Sequence, residues 1–238
     1  FDSQRLINFV NRAVENYNLK KENITLQYKL FHSYDIIGKS PSILKLKEQI
    51  NKLTLTESRI FIFGPAGSGK ELVARKIHKN SDRSKKSFII LSGALLDPEK
   101  YELELFGSEN DNGTINYGAF EKASGGILLI DEVSEIPLET QAKILRVLTD
   151  QKFKRINGSH DINVNIRIIC TSSKDIRREI DEGNFREDLY HRLNVVPIEL
   201  EPLKYRTEDI PLLIDYFREK LAEINGVQLS KVRYKLHR

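Results

Sequence analysis

The chain from Ile36 onward alternates short, continuous apolar runs with longer stretches in which apolar residues recur every three or four positions. Continuous runs predict buried strands, and the longer spacing predicts amphipathic helices. Strands are predicted near Arg59–Phe63, Ser87–Leu91, Ile127–Asp131, Val164–Thr171 and Val195–Glu199. Helices are predicted near Ile43–Lys52, Glu71–Lys79, Glu139–Gln151, Lys174–Glu182, Glu187–Leu193 and Thr207–Ile224. Because strands and helices alternate, the predicted fold class is α/β, with a parallel five-stranded sheet between helices.

The two ends of the chain depart from this pattern. Residues 1–30 are predicted to form a helix and a polar linker, because apolar residues recur at helical spacing between Leu6 and Tyr17. This apolar stripe needs either a neighbouring domain or a second copy of the chain to cover it. A basic tail follows Gly226. The chain starts at Phe1 and contains no Met, so it is expected to begin downstream of the natural start.

The composition is that of an ordinary globular protein of 238 residues, with 39% apolar and 30% charged residues. This length is enough for one large domain with appendages. The net charge of +4 is too small to indicate nucleic-acid binding by itself. A single cysteine, Cys170, excludes an internal disulfide and fits a reducing, cytoplasmic location. No apolar segment is long enough to span a bilayer, so no membrane partner is expected.

A glycine-rich turn follows the first predicted strand and leads directly into a helix. Gly64, Gly67 and Gly69 permit a backbone path whose N–H groups point at phosphate oxygens, and Lys70 opens the helix where an anion is favoured. The spacing G-x-x-x-x-G-K is met, although Glu71 stands where a hydroxyl residue is usual. The alternative is a plain turn between strand and helix. It is disfavoured because strand, loop and helix occur together.

Two adjacent carboxylates, Asp131 and Glu132, follow the third apolar run. They lie at the edge where ligands of parallel sheets bind. Asp131 is predicted to hold Mg²⁺, a cation that prefers oxygen ligands and retains water. Glu132 is predicted to polarise the water that attacks a γ-phosphate. The alternative is that both residues begin a solvated loop, but the upstream Gly-Lys loop favours the functional interpretation.

Two arginines, Arg186 and Arg192, lie six residues apart on a predicted helix. Arginines at such positions are most often solvated or paired surface groups. Their alternative role is to reach the γ-phosphate bound by a neighbouring subunit and to stabilise transition-state charge. The spacing leaves both roles open. The five histidines lack metal-ligand spacing with Cys170 or with each other, so a zinc site is not expected.

Taken together, these segments resemble the AAA+ domain of sigma-54-dependent transcription activators, the NtrC class of two-component response regulators. The resemblance runs from Ile36 to Tyr216 and includes Glu71, which regularly follows the lysine in this family. It implies a P-loop AAA+ core with ATP and Mg²⁺ as cofactors. It assigns to ATP binding the residues Ile37, Gly38, Gly64, Pro65, Ala66, Gly67, Ser68, Gly69, Lys70 and Glu71. It assigns Asp131 to the metal, Glu132, Arg186 and Arg192 to catalysis, and Ser92, Ser172 and Ser173 to sensor positions.

The resemblance also implies a domain organisation and a set of partners. Residues 1–30 resemble the end of a receiver domain and its linker helix. Residues 31–204 correspond to the ATP-binding core, and residues 205–238 to the beginning of a helical lid that the chain leaves incomplete. The expected partners are other copies of the chain, a sensor histidine kinase acting on the receiver domain, and DNA bound by a C-terminal domain.

The chain departs from the family pattern in three places. The segment between Gly107 and Gly118 is short and polar, and it lacks the Gly-Ala-Phe-Thr-Gly-Ala loop that contacts sigma-54 in this family; in this respect the chain resembles the NtrX subgroup. The tripeptide from Gly118 to Phe120 aligns with a later family block instead. Ser92 stands where the family usually has an asparagine that restrains the catalytic glutamate. The chain also ends before the sensor II arginine of the lid.

Two functions follow from these observations and stay open at this point. The first is the ATP-hydrolysing module of an NtrX-like response regulator, which controls transcription through nucleotide-dependent oligomerisation. The second is a non-remodelling dimeric regulator or scaffold, which binds nucleotide weakly and acts by DNA occupancy. The retained Lys70, Asp131, Glu132 and both arginines favour ATP hydrolysis, whereas the missing loop argues against sigma-54 contact.

Overall fold

The computed structural model describes residues 34–110 and 112–225, so the predicted N-terminal helix and the basic tail lie outside it. The main strands are β1 (Ile60–Phe63), β2 (Phe88–Ser92), β5 (Ile127–Asp131), β8 (Arg167–Ser172) and β9 (Val196–Glu199). They form one parallel sheet in the order β2-β5-β8-β1-β9. The helices are α1 (Pro41–Thr54), α2 (Lys70–Asn80), α3 (Tyr101–Phe106), α4 (Ala119–Lys122), α5 (Leu138–Asp150), α6 (Ile176–Asp181), α7 (Glu187–Leu193) and α8 (Ile210–Asn225). None of the helices in this described part has the length and apolar character needed to cross a bilayer.

The central strands β1, β5 and β8 are buried at nearly every position, on both faces of the sheet, whereas the edge strands β2 and β9 are only partly buried. Ile60 and Ile62 of β1 pack with α1 and α2 on one face, while Phe61 packs with α3, α4 and α5 on the other. Leu128 and Ile130 of β5 join Phe61 in this second core. Successive side chains of a strand point to opposite faces, so β1, β2, β5 and β8 each contribute to both cores, whereas the edge strand β9 contributes Val196 and Ile198 to the first core only. The carboxyl ends of all five parallel strands meet at one edge, which is the usual place for a ligand.

The predicted α/β fold is confirmed, and all five predicted strands belong to the central sheet. Strand β8 begins at Arg167 rather than Val164, whose N–H donates to the Gln151 carbonyl outside the sheet. Helix α6 begins later than predicted because Asp175 caps it, accepting a hydrogen bond from the backbone N–H of Arg177. Helix α8 also begins later, because residues 207–209 form a separate 3-10 turn.

The sequence pattern did not predict α3, α4 or two small antiparallel hairpins. One hairpin pairs β3 (Gly107–Glu109) with β4 (Ile115–Tyr117), and the other pairs β6 (Lys152–Phe153) with β7 (Ile162–Asn163). Each of these elements has between two and six residues. Such lengths are too short to display a helical or strand period.

The β3–β4 hairpin occupies the segment in which the family contact loop is missing. Its turn closes between Asn110, whose N–H donates to the Thr114 carbonyl at 3.0 Å, and the start of β4. The Ala119 and Phe120 that follow are buried in the core, with 5% and 0% of their surface exposed. These two residues therefore belong to the packed interior and not to an exposed contact loop.

A single arginine fixes the base of this hairpin. Arg155 donates to both carboxylate oxygens of Glu121, at 2.8 and 2.6 Å, and lies 3.5 Å from Glu109 of β3. Its guanidinium also lies over the ring of Tyr117, 5.5 Å from the centroid. Because a bidentate arginine–carboxylate pair has a fixed geometry, the hairpin is held in one position against α4.

Candidate nucleotide site

The phosphate loop joins β1 to α2 at the carboxyl edge of the sheet. Gly69 precedes α2 with a left-handed backbone (φ 97°), a conformation that glycine adopts at little cost. At Gly64 an added Cβ would lie 2.8 Å from Ser68 Oγ and 2.9 Å from the Cβ of Leu200. The loop tip, residues 65–67, is exposed. The free N–H groups at the start of α2 therefore lie beside an open loop, an arrangement that suits phosphate.

Lys70 is the first residue of α2, and only 7% of it is exposed. Its Nζ donates to the Gly64 carbonyl at 2.9 Å and lies 3.0 Å from Glu132 Oε1. Charged hydrogen bonds of this kind are strong, and phosphate oxygens offer the ammonium equivalent partners. The structure therefore brings the predicted phosphate-binding lysine and the predicted catalytic glutamate into direct contact.

Asp131 and Glu132 are fixed by one residue of the neighbouring strand β8. The Thr171 hydroxyl donates to Asp131 Oδ1 at 2.6 Å and accepts from the Glu132 backbone N–H at 2.9 Å. Glu132 has a left-handed backbone (φ 52°, ψ 58°), which is uncommon for a residue with a Cβ. Strained backbone of this kind persists where surrounding contacts hold it. Thr171 supplies such a contact for both acids.

Both carboxylate oxygens of Glu132 have partners. Oε1 faces Lys70, while Oε2 accepts from the Ser173 backbone N–H at 2.7 Å and from the Ser173 hydroxyl at 2.8 Å. Burial disfavours the ionised carboxylate, but the Ser173 N–H, the Lys70 ammonium and the Ser173 hydroxyl outweigh it and lower the pKa of Glu132. Glu132 is therefore ionised at neutral pH and is able to accept a proton.

The three predicted sensor serines lie at the ends of β2 and β8. Within the described residues, the hydroxyl that donates to Glu132 belongs to Ser173 and not to Ser92. Ser172 is buried, and its hydroxyl contacts Ser134 Oγ at 3.2 Å in the turn that follows the acids. Ser173 thus restrains the glutamate itself, and Ser172 supports the turn behind it.

A cavity of about 720 Å³ opens beside the phosphate loop. Gly67, Ser68 and Gly69 form its end at the loop. Its other walls are mainly apolar, and they include Ile36, Ile37, Leu46, Leu72, Leu213 and Phe217. Cavities of this size with apolar walls and a few polar groups typically bind small molecules. This cavity fits a ligand with a flat apolar end and a phosphate end.

Two buried polar atoms at the cavity have no hydrogen-bond partner among the described residues: Ser68 Oγ and Arg206 Nε. Both residues line the cavity. Buried polar atoms are normally paired, so these two atoms are suited to a polar ligand. The chemistry of the walls is therefore compatible with the ribose and phosphates of a nucleotide.

Gly38 packs closely against the buried carboxylate of Asp209, which bonds the two residues that follow Gly38. Asp209 is fully buried; its Oδ1 accepts from the N–H groups of Lys39 (2.6 Å) and Ser40 (2.9 Å), and its Oδ2 accepts from the Ser40 hydroxyl (2.6 Å). A Cβ on Gly38 would lie 2.8 Å from Asp209 Oδ2. Burial disfavours ionised Asp209, but these hydrogen bonds outweigh it and lower its pKa. Asp209 therefore ties the wall that contains Ile37 to the turn before α8.

Replacing Asp209 by alanine is expected to lower the free energy of unfolding by about 1–3 kcal/mol and to weaken ATP binding. The buried N–H groups of Lys39 and Ser40 lose their acceptor beside the cavity. Thermal unfolding and titration with a fluorescent ATP analogue measure the two effects. Glu208→Ala, which removes an exposed acid from the same turn, is the matched control.

The Asp209 effect should depend on pH. Because its pKa is lowered in the folded chain, Asp209 contributes stability above the pKa of an unfolded aspartate, about 3.9. That contribution is lost as the pH falls through the lower folded value. The difference between the parent and Asp209→Ala should therefore shrink on acidification, and equal stability at neutral pH would contradict the proposed role.

The two predicted catalytic arginines lie on the surface. The Arg186 guanidinium pairs with Asp188 at 2.7 Å, and Arg192 Nη2 lies 3.5 Å from the Leu148 carbonyl. Within the described residues, neither guanidinium contacts the acids at the end of β5. The geometry of a single copy is thus compatible with an ordinary surface role and with a role in a neighbouring copy's site.

The donor set at the sheet edge fits Mg²⁺ bound together with a nucleotide. Among the residues that the structure describes, no cluster of three or more His, Cys, Asp or Glu side chains could hold a metal ion by itself. Mg²⁺ usually takes only one or two carboxylates and completes its shell with phosphate oxygens and water. Asp131, with Glu132 beside it, meets that requirement.

Sequence reasoning did not single out Thr171, Arg206 or Asp209. Thr171 carries one signal, which is its position near the end of a strand that neighbours β5. The other two residues lie in the stretch after β9, far along the chain from the segments that they contact. Only the folded chain brings them to the site.

The chain matches known proteins along nearly its whole length. The family model described as the Sigma-54 interaction domain matches residues 36–199. The nitrogen assimilation regulatory protein NtrX of Azorhizobium caulinodans is 43% identical over 98% of this chain and 51% of its own length. The transcriptional regulator NtrC of Proteus hauseri is 39% identical over 98% of this chain and 50% of its own length.

Solved structures of one relative have the same fold. NtrX from Brucella abortus in complex with ADP has a TM-score of 0.82 at 43% identity, with 98% of this chain and 53% of that chain covered. The same protein in complex with ATP has a TM-score of 0.78 at 44% identity, with 95% and 51% covered. The chain thus spans about half the length of the relatives that it matches.

Proposed function

This chain belongs to the family of sigma-54 interaction domains, the AAA+ modules of NtrX- and NtrC-like response regulators, and we propose that it binds ATP with Mg²⁺ and hydrolyses ATP between neighbouring copies. The observation that carries this proposal is the buried contact of Lys70 with Glu132, restrained by Ser173, next to a cavity that ends at the phosphate loop. The complexes of Brucella abortus NtrX with ATP and with ADP support nucleotide as the ligand.

In the proposed reaction, the base of ATP occupies the apolar cavity and the phosphates lie against the N–H groups of the loop. Lys70 exchanges Glu132 for phosphate oxygens. Asp131 would hold Mg²⁺, which would neutralise part of the phosphate charge. Glu132 remains restrained by Ser173 and accepts a proton from the attacking water. The two hydrogen bonds from Ser173 remain and favour the ionised form of Glu132.

A neighbouring copy completes the proposed site. Charge spreads over the equatorial oxygens of the transferred phosphoryl group in the transition state, and a guanidinium stabilises it. Arg186 and Arg192 are exposed in the single chain, which leaves them accessible to another copy. Hydrolysis therefore requires at least a dimer.

We extend the proposal to a full-length protein that is organised like the relatives. Residues 31–204 form the ATP-binding core, residues 205–238 begin the lid, and residues 1–30 end a receiver domain and its linker. Phosphorylation of the receiver by a sensor histidine kinase controls oligomerisation of the core. A C-terminal domain binds DNA, and transcription is regulated in the cytoplasm.

The β3–β4 hairpin favours a second candidate function on the output side. Only residues 111–113 lie between Asn110 and Thr114, whose backbone hydrogen bond closes the turn, so the six-residue loop that contacts sigma-54 in the family is missing from this turn. The second candidate is therefore a dimeric regulator or scaffold that binds nucleotide weakly and acts by DNA occupancy. If the full-length protein supports open-complex formation with sigma-54 polymerase, contact with sigma-54 is retained, and this second candidate is ruled out.

ATP turnover per protomer should rise steeply with protein concentration, because each site needs a neighbour. The measurement is steady-state ATP hydrolysis across a wide range of protein concentrations. The same series with Glu132→Ala should show no turnover at any concentration. The scaffold function predicts a flat, low background that the substitution leaves unchanged, and that result would contradict the ATPase proposal.

A further inference from the structure

One buried amide side chain joins the segment that follows the acids to the segment that carries Arg186. Gln141 lies in the first turns of α5 and has 0% of its surface exposed. Its Nε2 donates to the Ile136 carbonyl at 2.7 Å and to the Asn184 carbonyl at 3.0 Å, and its Oε1 accepts from the Arg186 N–H at 2.9 Å. Burying an amide is costly unless its polar atoms are paired. All three partners are backbone groups, so Gln141 fixes main-chain positions.

The two segments joined by Gln141 serve different sites. Ile136 directly follows the turn Val133–Glu135, which itself directly follows Glu132. Arg186 is the N-cap residue of α7, and 41% of its side chain is exposed. One segment therefore belongs to the chain's own nucleotide site. The other presents a guanidinium to the outside.

The packing around Arg186 leaves its backbone little freedom. Phe185 before it and Leu189 after it are buried in the core, with 2% and 0% exposed, and α7 packs against α5. The N–H of Arg186 is also bonded to Gln141. The direction of the guanidinium is therefore set by the side-chain torsions of Arg186 alone. A shift of Gln141 would displace the point from which Arg186 reaches outward.

We propose that Gln141 is a positioning residue that sets the backbone at Arg186 and links it to the Asp131–Glu132 segment of the same chain. A subunit's own site and the arginine that it offers to its neighbour are thereby held in a fixed relation. This inference rests on the proposed function, because it takes Arg186 as the arginine that acts in a neighbouring site. The competing explanation is a buried amide that stabilises the core alone.

Gln141→Met tests the inference by replacing three hydrogen bonds with an apolar side chain of similar length. We expect kcat to fall about 10²-fold, the size of effect that a small misplacement of a catalytic group produces. KM for ATP should be unchanged, because Lys70 and the cavity are untouched. Thr149→Val, which removes an exposed side-chain hydrogen bond from the same helix, is the control and should retain parental turnover. A loss expressed in KM, or no loss, would overturn the inference.

Mixed assemblies separate positioning of Arg186 from damage to the core. A Glu132→Ala copy cannot hydrolyse ATP, but it keeps Gln141 and Arg186 and can supply a well-placed arginine to a Gln141→Met neighbour. We expect the mixture of these two inactive proteins to recover turnover, and the mixture of Glu132→Ala with Arg186→Ala is expected to do the same. The double variant Arg186→Ala/Gln141→Met should be no slower than Arg186→Ala, because the two changes remove the same contribution.

The outcomes are distinguishable. Recovery with Arg186→Ala but not with Gln141→Met assigns Gln141 to its own site or to the core and overturns the inference. Parental turnover in Arg186→Ala overturns the proposed function first, and the inference with it. Should Gln141→Met fail to fold by circular dichroism, Gln141→Leu, a smaller apolar replacement that also removes all three hydrogen bonds, is taken through the same mixtures with the same expected recovery.

Discussion

Replacing Arg186 by alanine is expected to lower ATP turnover of the assembled protein by about 10³-fold. The guanidinium is partly exposed and is paired with Asp188, so its removal leaves the phosphate loop and the cavity of its own chain intact. ATP affinity, measured by titration on the same sample, should therefore stay parental. In the proposed mechanism the effect arises in the transition state, where the guanidinium of one copy stabilises charge on the phosphoryl group bound by the next.

A matched surface arginine provides the control for this prediction. Arg178 on α6 pairs with Glu182 at 2.7 Å in the same way that Arg186 pairs with Asp188. Arg178→Ala should retain parental turnover, since it removes equal charge from a nearby helix. If Arg186→Ala also hydrolyses ATP at the parental rate, Arg186 is an ordinary surface residue and the intersubunit site needs another arginine.

Glu132→Gln is expected to reduce turnover by about 10²–10⁴-fold while ATP binds at least as tightly as to the parent. Glu132 is the proposed proton acceptor, and a neutral amide cannot take that role. In the structure, however, the Glu132 carboxylate also holds Lys70 at 3.0 Å. Removing its charge weakens the partner that phosphate must displace, so Lys70 becomes more available. Turnover should therefore fall, whereas the affinity for ATP should stay equal or rise.

Steady-state hydrolysis and calorimetric titration of ATP measure these two effects on one protein. Glu135→Gln is the control, because it neutralises an acid three positions away that pairs with Lys174 at 2.9 Å. This control should change neither quantity substantially. Weaker binding of ATP to Glu132→Gln would show that the Lys70–Glu132 pair does not compete with nucleotide, and parental turnover would remove Glu132 from the role of base.

The central sheet could be predicted because its information is local. Strand β5 is a continuous apolar run that ends in a carboxylate, and it forms over the residues predicted for it, Ile127–Asp131. Lys70 and Glu132 could each be selected as site residues for the same reason, since each follows a strand of a parallel sheet and the strand ends meet at one edge. Their 3.0 Å contact is the structural outcome of that rule.

The remaining parts of the site depend on contacts between distant residues. Asp209 bonds to Ser40 across 169 positions, and Gln141 bonds to Arg186 across 45. No local pattern marks either pair. Gln141 is moreover a polar residue on an amphipathic helix, where periodicity alone predicts exposure, yet the structure buries it completely. Gln141 can be buried because the folded chain brings three backbone partners to its amide group.

The closed hairpin turn also makes this chain a suitable recipient for grafted sequences. A segment spliced between Asn110 and Thr114 would start and end at adjacent points that a backbone hydrogen bond already holds together, above a base anchored by Arg155. The entropy of closing such a loop grows by only about 0.6 kcal/mol for each doubling of its length. Recognition segments of different lengths could therefore be displayed there for protein engineering, with the packed core beneath them unchanged.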